Sequence, residues 1–181
     1  KIQDFLVSGQ GKDKQMSMPP SVVAQAIDES GSQSRAAMWT NAFVQIIQYN
    51  VRSLKQAKDR TILYDNIIKH RCAITCLNET RCQKSGVSTT HGGLIRVASA
   101  ADKVGSYGCE IIFHPQPVYA SHRDTGSHIR MTRDMLSIVH AEPRLLIAKC
   151  DMLGVVQFYV ICAHAPYKGC KESHSVYWQD F

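Results

Sequence analysis

A mixed α/β fold is what this sequence predicts, and two observations predict it. The first is a strand–helix–strand unit over residues 43–77, an arrangement that makes the two strands parallel neighbours joined by a right-handed crossover. The second is a series of five short apolar stretches after residue 92 with polar, turn-like connections, which reads as an antiparallel meander. Both kinds of pairing in one sheet make it mixed.

The chain has 181 residues, 44% of them hydrophobic, enough for one domain with a substantial core and a loose segment beside it. Residues 1–40 read as that segment, a disordered or loosely packed amino-terminal arm. Ser, Gln, Gly and Lys dominate it, Pro19-Pro20 interrupts it, and only residues 22–27 have the composition for a turn or two of helix. Residues 41–181 make up the domain. No run is long enough to span a bilayer, so a membrane partner is not expected. The segment from Lys1 lacks the apolar core and small-residue cleavage site of a signal peptide, so an intracellular location, nuclear or cytoplasmic, is expected.

Seven cysteines are an odd number, and several sit inside apolar runs. They read as small core hydrophobes and not as disulfides. Cys72 and Cys76 alternate through a strand with no matching second pair, so zinc is not expected either. The formal charge of +6 favours a polyanionic partner such as nucleic acid.

Phe43, Val44, Ile46, Ile47, Tyr49 and Val51 form a β-rich run that reads as the first strand. It ends in Asn50-Val51-Arg52-Ser53, with Ser53 suited to cap a helix running to about His70. Leu63 and Ile67, with Ile62 and Ile68, give that helix a stripe for the sheet, while Lys55, Lys58 and Arg60 face water. Residues 72–77 are nearly all apolar, the pattern of a central strand covered on both faces. That strand runs straight into Glu79. Parallel pairing then places Asn50 and Glu79 at the same end of neighbouring strands, the end where ligands collect in open α/β sheets.

The stretch from Arg81 to Gly93 reads as a polar loop over that end. Strands follow over residues 93–98, 108–113, 136–140, 144–150 and 155–163, with Gly154 in the turn of the last hairpin. The final strand runs out into Ala163-His164-Ala165-Pro166. Residues 171–181 open a helix with Val176, Tyr177 and Trp178 on its inner side.

Three polar groups thus stand where apolar strands end: Asn50, Glu79 and His164. A hard carboxylate suits Mg²⁺, an amide can hold a phosphate oxygen or orient a carboxylate, and an imidazole can bond a phosphate or move a proton near neutral pH. Together they suit phosphoester hydrolysis.

On these residues the chain resembles the endonuclease/exonuclease/phosphatase superfamily, in its deoxyribonuclease-like and retrotransposon-type branches. The resemblance rests on Tyr49-Asn50-Val51-Arg52, on Asn78-Glu79-Thr80-Arg81, and on Val160-Ile161-Cys162-Ala163-His164-Ala165-Pro166, in order over residues 43–181. Gly108-Cys109-Glu110-Ile111-Ile112 is similar to retrotransposon-type members. The resemblance implies an α+β mixed-sheet sandwich and a magnesium-dependent hydrolase, a nuclease or phosphodiesterase acting on nucleic acid. It implies that Glu79 and Asn50 form the Mg²⁺ or Mn²⁺ site and that His164 contacts the scissile phosphate, all three being catalytic. An Asp-x-Asn strand end and a later Asp-His pair of that family have no counterpart up to Phe181. Asp180-Phe181 lies in the expected helix and is no substitute. A partial domain that is weakly active or inactive is therefore expected, with its second sheet missing and one apolar face open. The alternatives are a non-catalytic nucleic-acid-binding or interaction fragment, and a phosphatase acting on a small phosphorylated substrate.

Overall fold

The computed structural model describes residues 39–41 and 43–165. The expectations for residues 22–27, Pro166, the helix over 171–181 and Asp180-Phe181 lie outside the described residues, as does most of the amino-terminal arm. Trp39–Asn41 forms a strand, β1, so regular structure reaches into the last residues assigned to that arm.

The strand–helix–strand unit is present. β2 spans Ile46–Asn50, α1 Ala57–His70 and β3 Ile74–Asn78. β2 and β3 pair in parallel, with Ile46 opposite Ile74 and Asn50 opposite Asn78. All five residues of β3 are buried, as its unbroken apolar sequence requires. β2 starts later than its apolar run does. Among the described residues it is an edge strand with β3 as its one neighbour, and Phe43 and Ile46 are exposed.

Ser53 does not cap α1. Its Oγ accepts from the Lys55 amide at 3.3 Å, closing a local turn. Leu54 then sinks completely into the core, with its amide bonded to the Thr80 carbonyl at 2.9 Å. This pin to the segment after β3 delays the helix until Ala57, behind Gln56, whose side chain makes no cap. Arg71 ends the helix in the left-handed region at φ 52°, its amide returning to the Ile68 carbonyl, and Lys69 and His70 complement the helix dipole. Leu63, Tyr64 and Ile67 are the buried side chains of α1. Two assignments on it change: Ile62 is exposed, and Arg60 turns inward onto the Leu54 carbonyl at 2.6 Å.

β4 (Gly86–Thr89), β5 (Ile95–Ala98) and β6 (Cys109–Phe113) complete a five-stranded sheet in the order β2-β3-β6-β5-β4. Its β2–β3 pair is parallel and the others antiparallel, so the expected mixed sheet is there. β4 occupies part of what read as a loop. Two short strands, β7 (Ala120–His122) and β8 (His128–Ile129), join β1 in a small separate sheet.

The first two strands of the meander, β5 and β6, lie in the mixed sheet, but its last three do not. β9 (Leu136–Glu142), β10 (Leu145–Met152) and β11 (Val156–Ala163) form their own antiparallel sheet. Leu153 and Gly154 both have positive φ between β10 and β11, as a type I′ hairpin turn demands. Leu146, Ala148, Cys150 and Met152 of β10 and Val160 and Cys162 of β11 share one core with Ile74 and Cys76 of β3 and Ile111 and Phe113 of β6. The apolar face expected to stand open is therefore covered across its centre. On the opposite face α1 packs Leu63, Tyr64 and Ile67 against Leu77 and Ile112. Each such side chain, fully buried, contributes about 1.5–3 kcal/mol. The six described cysteines are free and buried. No helix among the described residues is long and apolar enough to cross a membrane.

Candidate active site

Parallel register brings the ends of β2 and β3 together. Asn50 Nδ2 donates to Glu79 Oε1 at 2.9 Å, and Asn50 Oδ1 accepts from the Arg52 amide at 3.1 Å. The Asn amide is held at both ends, and it holds the carboxylate. His164, just past β11, places Nε2 3.2 Å from the same Glu79 oxygen. The three residues singled out from sequence thus converge on one atom, Glu79 Oε1. Glu79 and His164 are about a quarter and a sixth exposed, so the group sits at a rim and not in the core.

His164 reaches this place through Asn78, which the sequence marked only as the neighbour of Glu79. Asn78 Nδ2 donates to the Ala163 carbonyl at 3.2 Å, tying the end of β11 in the second sheet to the end of β3 in the first. The Cys162 thiol donates to Asn78 Oδ1 at 3.0 Å, and the Cys109 thiol lies 3.6 Å from it. The Cys162 pKa is raised by hydrogen bonds to the Cys109 and Cys76 sulfurs and by burial, so it stays a donor. Asn78 itself is buried, where an amide with both ends satisfied is stable and one left open is costly. On the next strand pair, the His164 amide donates to the Arg144 carbonyl at 2.8 Å. The Tyr107 ring stands 5.7 Å from the imidazole, and the Arg144 guanidinium lies over that ring at 4.0 Å. Neither Tyr107 nor Arg144 was visible in the sequence, because both act from loops.

Four non-glycine residues around the group have left-handed backbones: Arg52, Glu79, Arg81 and Tyr107, with φ of 58°, 58°, 55° and 61°. Such conformations cost energy and gather at functional sites. They are held by crossing hydrogen bonds, Thr80 N to Gly108 O at 3.0 Å and Arg81 N to Tyr107 O at 2.7 Å. Gly108 has φ +87°, and a Cβ there would stand 3.0 Å from Thr80 Oγ1 and 3.2 Å from the Arg81 amide. Only glycine lets the two segments approach this closely.

The donor set fits a hydrated hard cation and not a caged one. Glu79 offers one carboxylate, and the described residues contain no group of three His, Cys, Asp or Glu able to enclose an ion. Mg²⁺ commonly binds through one or two carboxylates with water and phosphate filling its other positions. His164 points Nε2 at the carboxylate, while Nδ1 is buried without a hydrogen-bond partner among the described residues. To reach a phosphate, Nε2 must leave Glu79 or share it.

The chain matches no protein-family model and no curated protein.

Proposed function

We propose that Asn50, Glu79 and His164 belong to a metal-dependent phosphodiesterase centre of the endonuclease/exonuclease/phosphatase type, acting on nucleic acid. The observation that carries this reading is the sharing of Glu79 Oε1 by the Asn50 amide and the His164 imidazole. In it, Glu79 holds Mg²⁺ or Mn²⁺, assisted by Asn50, which fixes the carboxylate rotamer. When bound, the cation supplies Lewis-acid stabilisation of charge on a phosphoryl oxygen. The His164 imidazole donates a hydrogen bond to a phosphate oxygen. Arg81, two residues after Glu79, Arg52, two residues after Asn50, and the charge of +6 favour a polyanion over a neutral substrate.

The same observations set a low rate. One carboxylate cannot both hold the cation and take a proton from water, and the described residues place no second carboxylate in a metal-binding group with Glu79. That shortage favours one other reading, a nucleic-acid-binding module without turnover. Titration with Mn²⁺, read by paramagnetic broadening of the His164 and Asn50 side-chain signals, tests the site. Binding on the order of millimolar is expected, lost in Glu79→Gln. Equal broadening in both proteins removes Glu79 from the site and overturns the proposal. Nicking of supercoiled plasmid is expected to be slow and to fall to background in His164→Ala. Duplex binding that needs Glu79 and Mn²⁺ but gives no nicking supports the binding module.

A further inference from the structure

Between the first half of α1 and the β4–β5 hairpin lies a cavity of about 310 Å³, lined by Ala57, Arg60 and Tyr64 on one side and Ser88, Thr89 and Arg96 on the other. Asn50, Glu79 and His164 take no part in it. Its two arginines are bonded on one side only. Arg96 uses Nη2 for both its contacts, to Glu110 Oε1 at 2.9 Å and to the Cys82 sulfur at 2.6 Å. Arg60 also uses Nη2, for the Leu54 carbonyl at 2.6 Å and, weakly, the Cys82 sulfur at 3.9 Å. Nη1 of each guanidinium is left without a protein partner among the described residues.

The charges do not cancel. Glu110 is completely buried and is satisfied by Arg96 and by the Tyr64 hydroxyl at 3.2 Å. It neutralises Arg96, while Arg60 forms no ion pair with a carboxylate among the described residues. Two arginines and one carboxylate leave one positive charge on the cavity wall. Ala57 is the first residue of α1, whose amino terminus has no side-chain cap, and the positive end of the helix dipole there is offset by Asp59 in the first turn. Thr61 and Thr90 also line the cavity but spend their hydroxyl protons on the carbonyls of Ala57 and His91. Ser88, the register partner of Arg96 and so on the same face of the sheet, supplies the hydroxyl left over.

We infer that this cavity is a second binding site, distinct from the Glu79 centre, and that it takes a phosphoryl group carried on a small organic substituent. Two planar guanidinium groups and the Ser88 hydroxyl present more donors than the two oxygens of a carboxylate absorb, and they match the three oxygens of a phosphomonoester. The cavity is larger than a bare phosphate, and Tyr64 offers ring surface beside the charged end. The site stands whether or not the Glu79 centre turns over nucleic acid.

The Nε–H groups of Arg60 and Arg96 are buried and unpaired among the described residues, so their NMR signals are shielded from exchange and report directly on the guanidinium groups. Titration of the full chain with inorganic phosphate, adenosine monophosphate, and an oligonucleotide with and without a 5′-phosphate is the test. Saturable shifts of both signals are expected, with affinity reduced roughly tenfold or more in Arg60→Gln. Ser88→Asp, at the register partner of Arg96 on β4, keeps both arginines but sets a carboxylate at the wall, and should weaken binding as much. Tighter binding of adenosine monophosphate than of phosphate identifies a free phosphomonoester. A response to the 5′-phosphorylated strand alone identifies a nucleic-acid end. Signals that stay still, that respond equally to chloride at matched ionic strength, or that respond unchanged in both variants overturn the site.

Discussion

The Asn50 amide and the Glu79 carboxylate, 29 residues apart, meet at 2.9 Å because Asn50 and Asn78 are register partners in a parallel pair. One register step would turn Asn50 to the other face of the sheet and break the contact. Asn50→Asp keeps the shape, removes the donor and sets two carboxylates side by side. We expect a loss of about 1 kcal/mol of stability in chelator, modest because the pair is partly solvated. Mn²⁺ should restore that loss and bind more tightly than to wild type. Urea unfolding with and without Mn²⁺ measures both, and a metal-independent loss would sever Asn50 from any cation site.

Asn78→Ala removes the link between the two sheets at the point where His164 emerges. It leaves the Ala163 carbonyl and two thiols without their partner, and a cost of about 1–3 kcal/mol is expected. Hydrogen exchange should rise at the His164 amide well before it rises in the middle of β3. Uniform loss of protection across both sheets would show that Asn78 supports the core alone and does not position the histidine.

Arg96 and Glu110 form a pair buried beneath α1, with side-chain exposures of 13% and 0%. Arg96→Met strands the Glu110 carboxylate, and about 3–5 kcal/mol should be lost. The double variant Arg96→Met with Glu110→Leu should recover much of this, because no charge then remains to be desolvated. A double variant less stable than the single would mean that the pair has no apolar substitute here.

His114 follows β6 and is nearly fully buried. Burial lowers its pKa below 6.5, against a hydrogen bond to the Ile68 backbone that raises it, and Arg71 adds to the lowering. Nδ1 accepts from the Gln116 amide at 3.1 Å, a bond that protonation at Nδ1 breaks. The unfolded chain takes up the proton first as pH falls, so stability from this group is complete above 6.5 and declines below it. Denaturation midpoints across that value should show the decline, and His114→Gln should flatten it.

Much of the frame was legible in sequence because burial on both faces leaves an unmistakable mark. The apolar run ending at Leu77 gave β3 its central place, and with it the ends where Asn50 and Glu79 meet. What escaped notice is short or shared. β7 and β8 contain three and two residues, too few for any periodicity to emerge, and β4 is a Gly-Val-Ser-Thr segment with the composition of a loop. Antiparallel order between β9, β10 and β11 could be read from their spacing, but tight turns do not say which sheet a hairpin joins. Inward-facing Leu146, Ala148 and Cys150 settle that through packing, a term absent from local pattern. Tyr107 and Arg144 lay hidden for the same reason, since their place beside His164 depends on two loops meeting.

The clamp between Asn78 and Ala163 spans 85 residues of chain, and this has a consequence for when the site exists at all. During synthesis β2, α1, β3 and β6 can emerge and pair while β11 is still inside the ribosome. Until Ala163 has cleared the exit tunnel, Asn78 has no carbonyl to hold and Glu79 no imidazole beside it. Closing so long a loop is also entropically slow. The nascent protein thus passes through an interval in which its first sheet is assembled and its Glu79 carboxylate has Asn50 beside it but not yet His164.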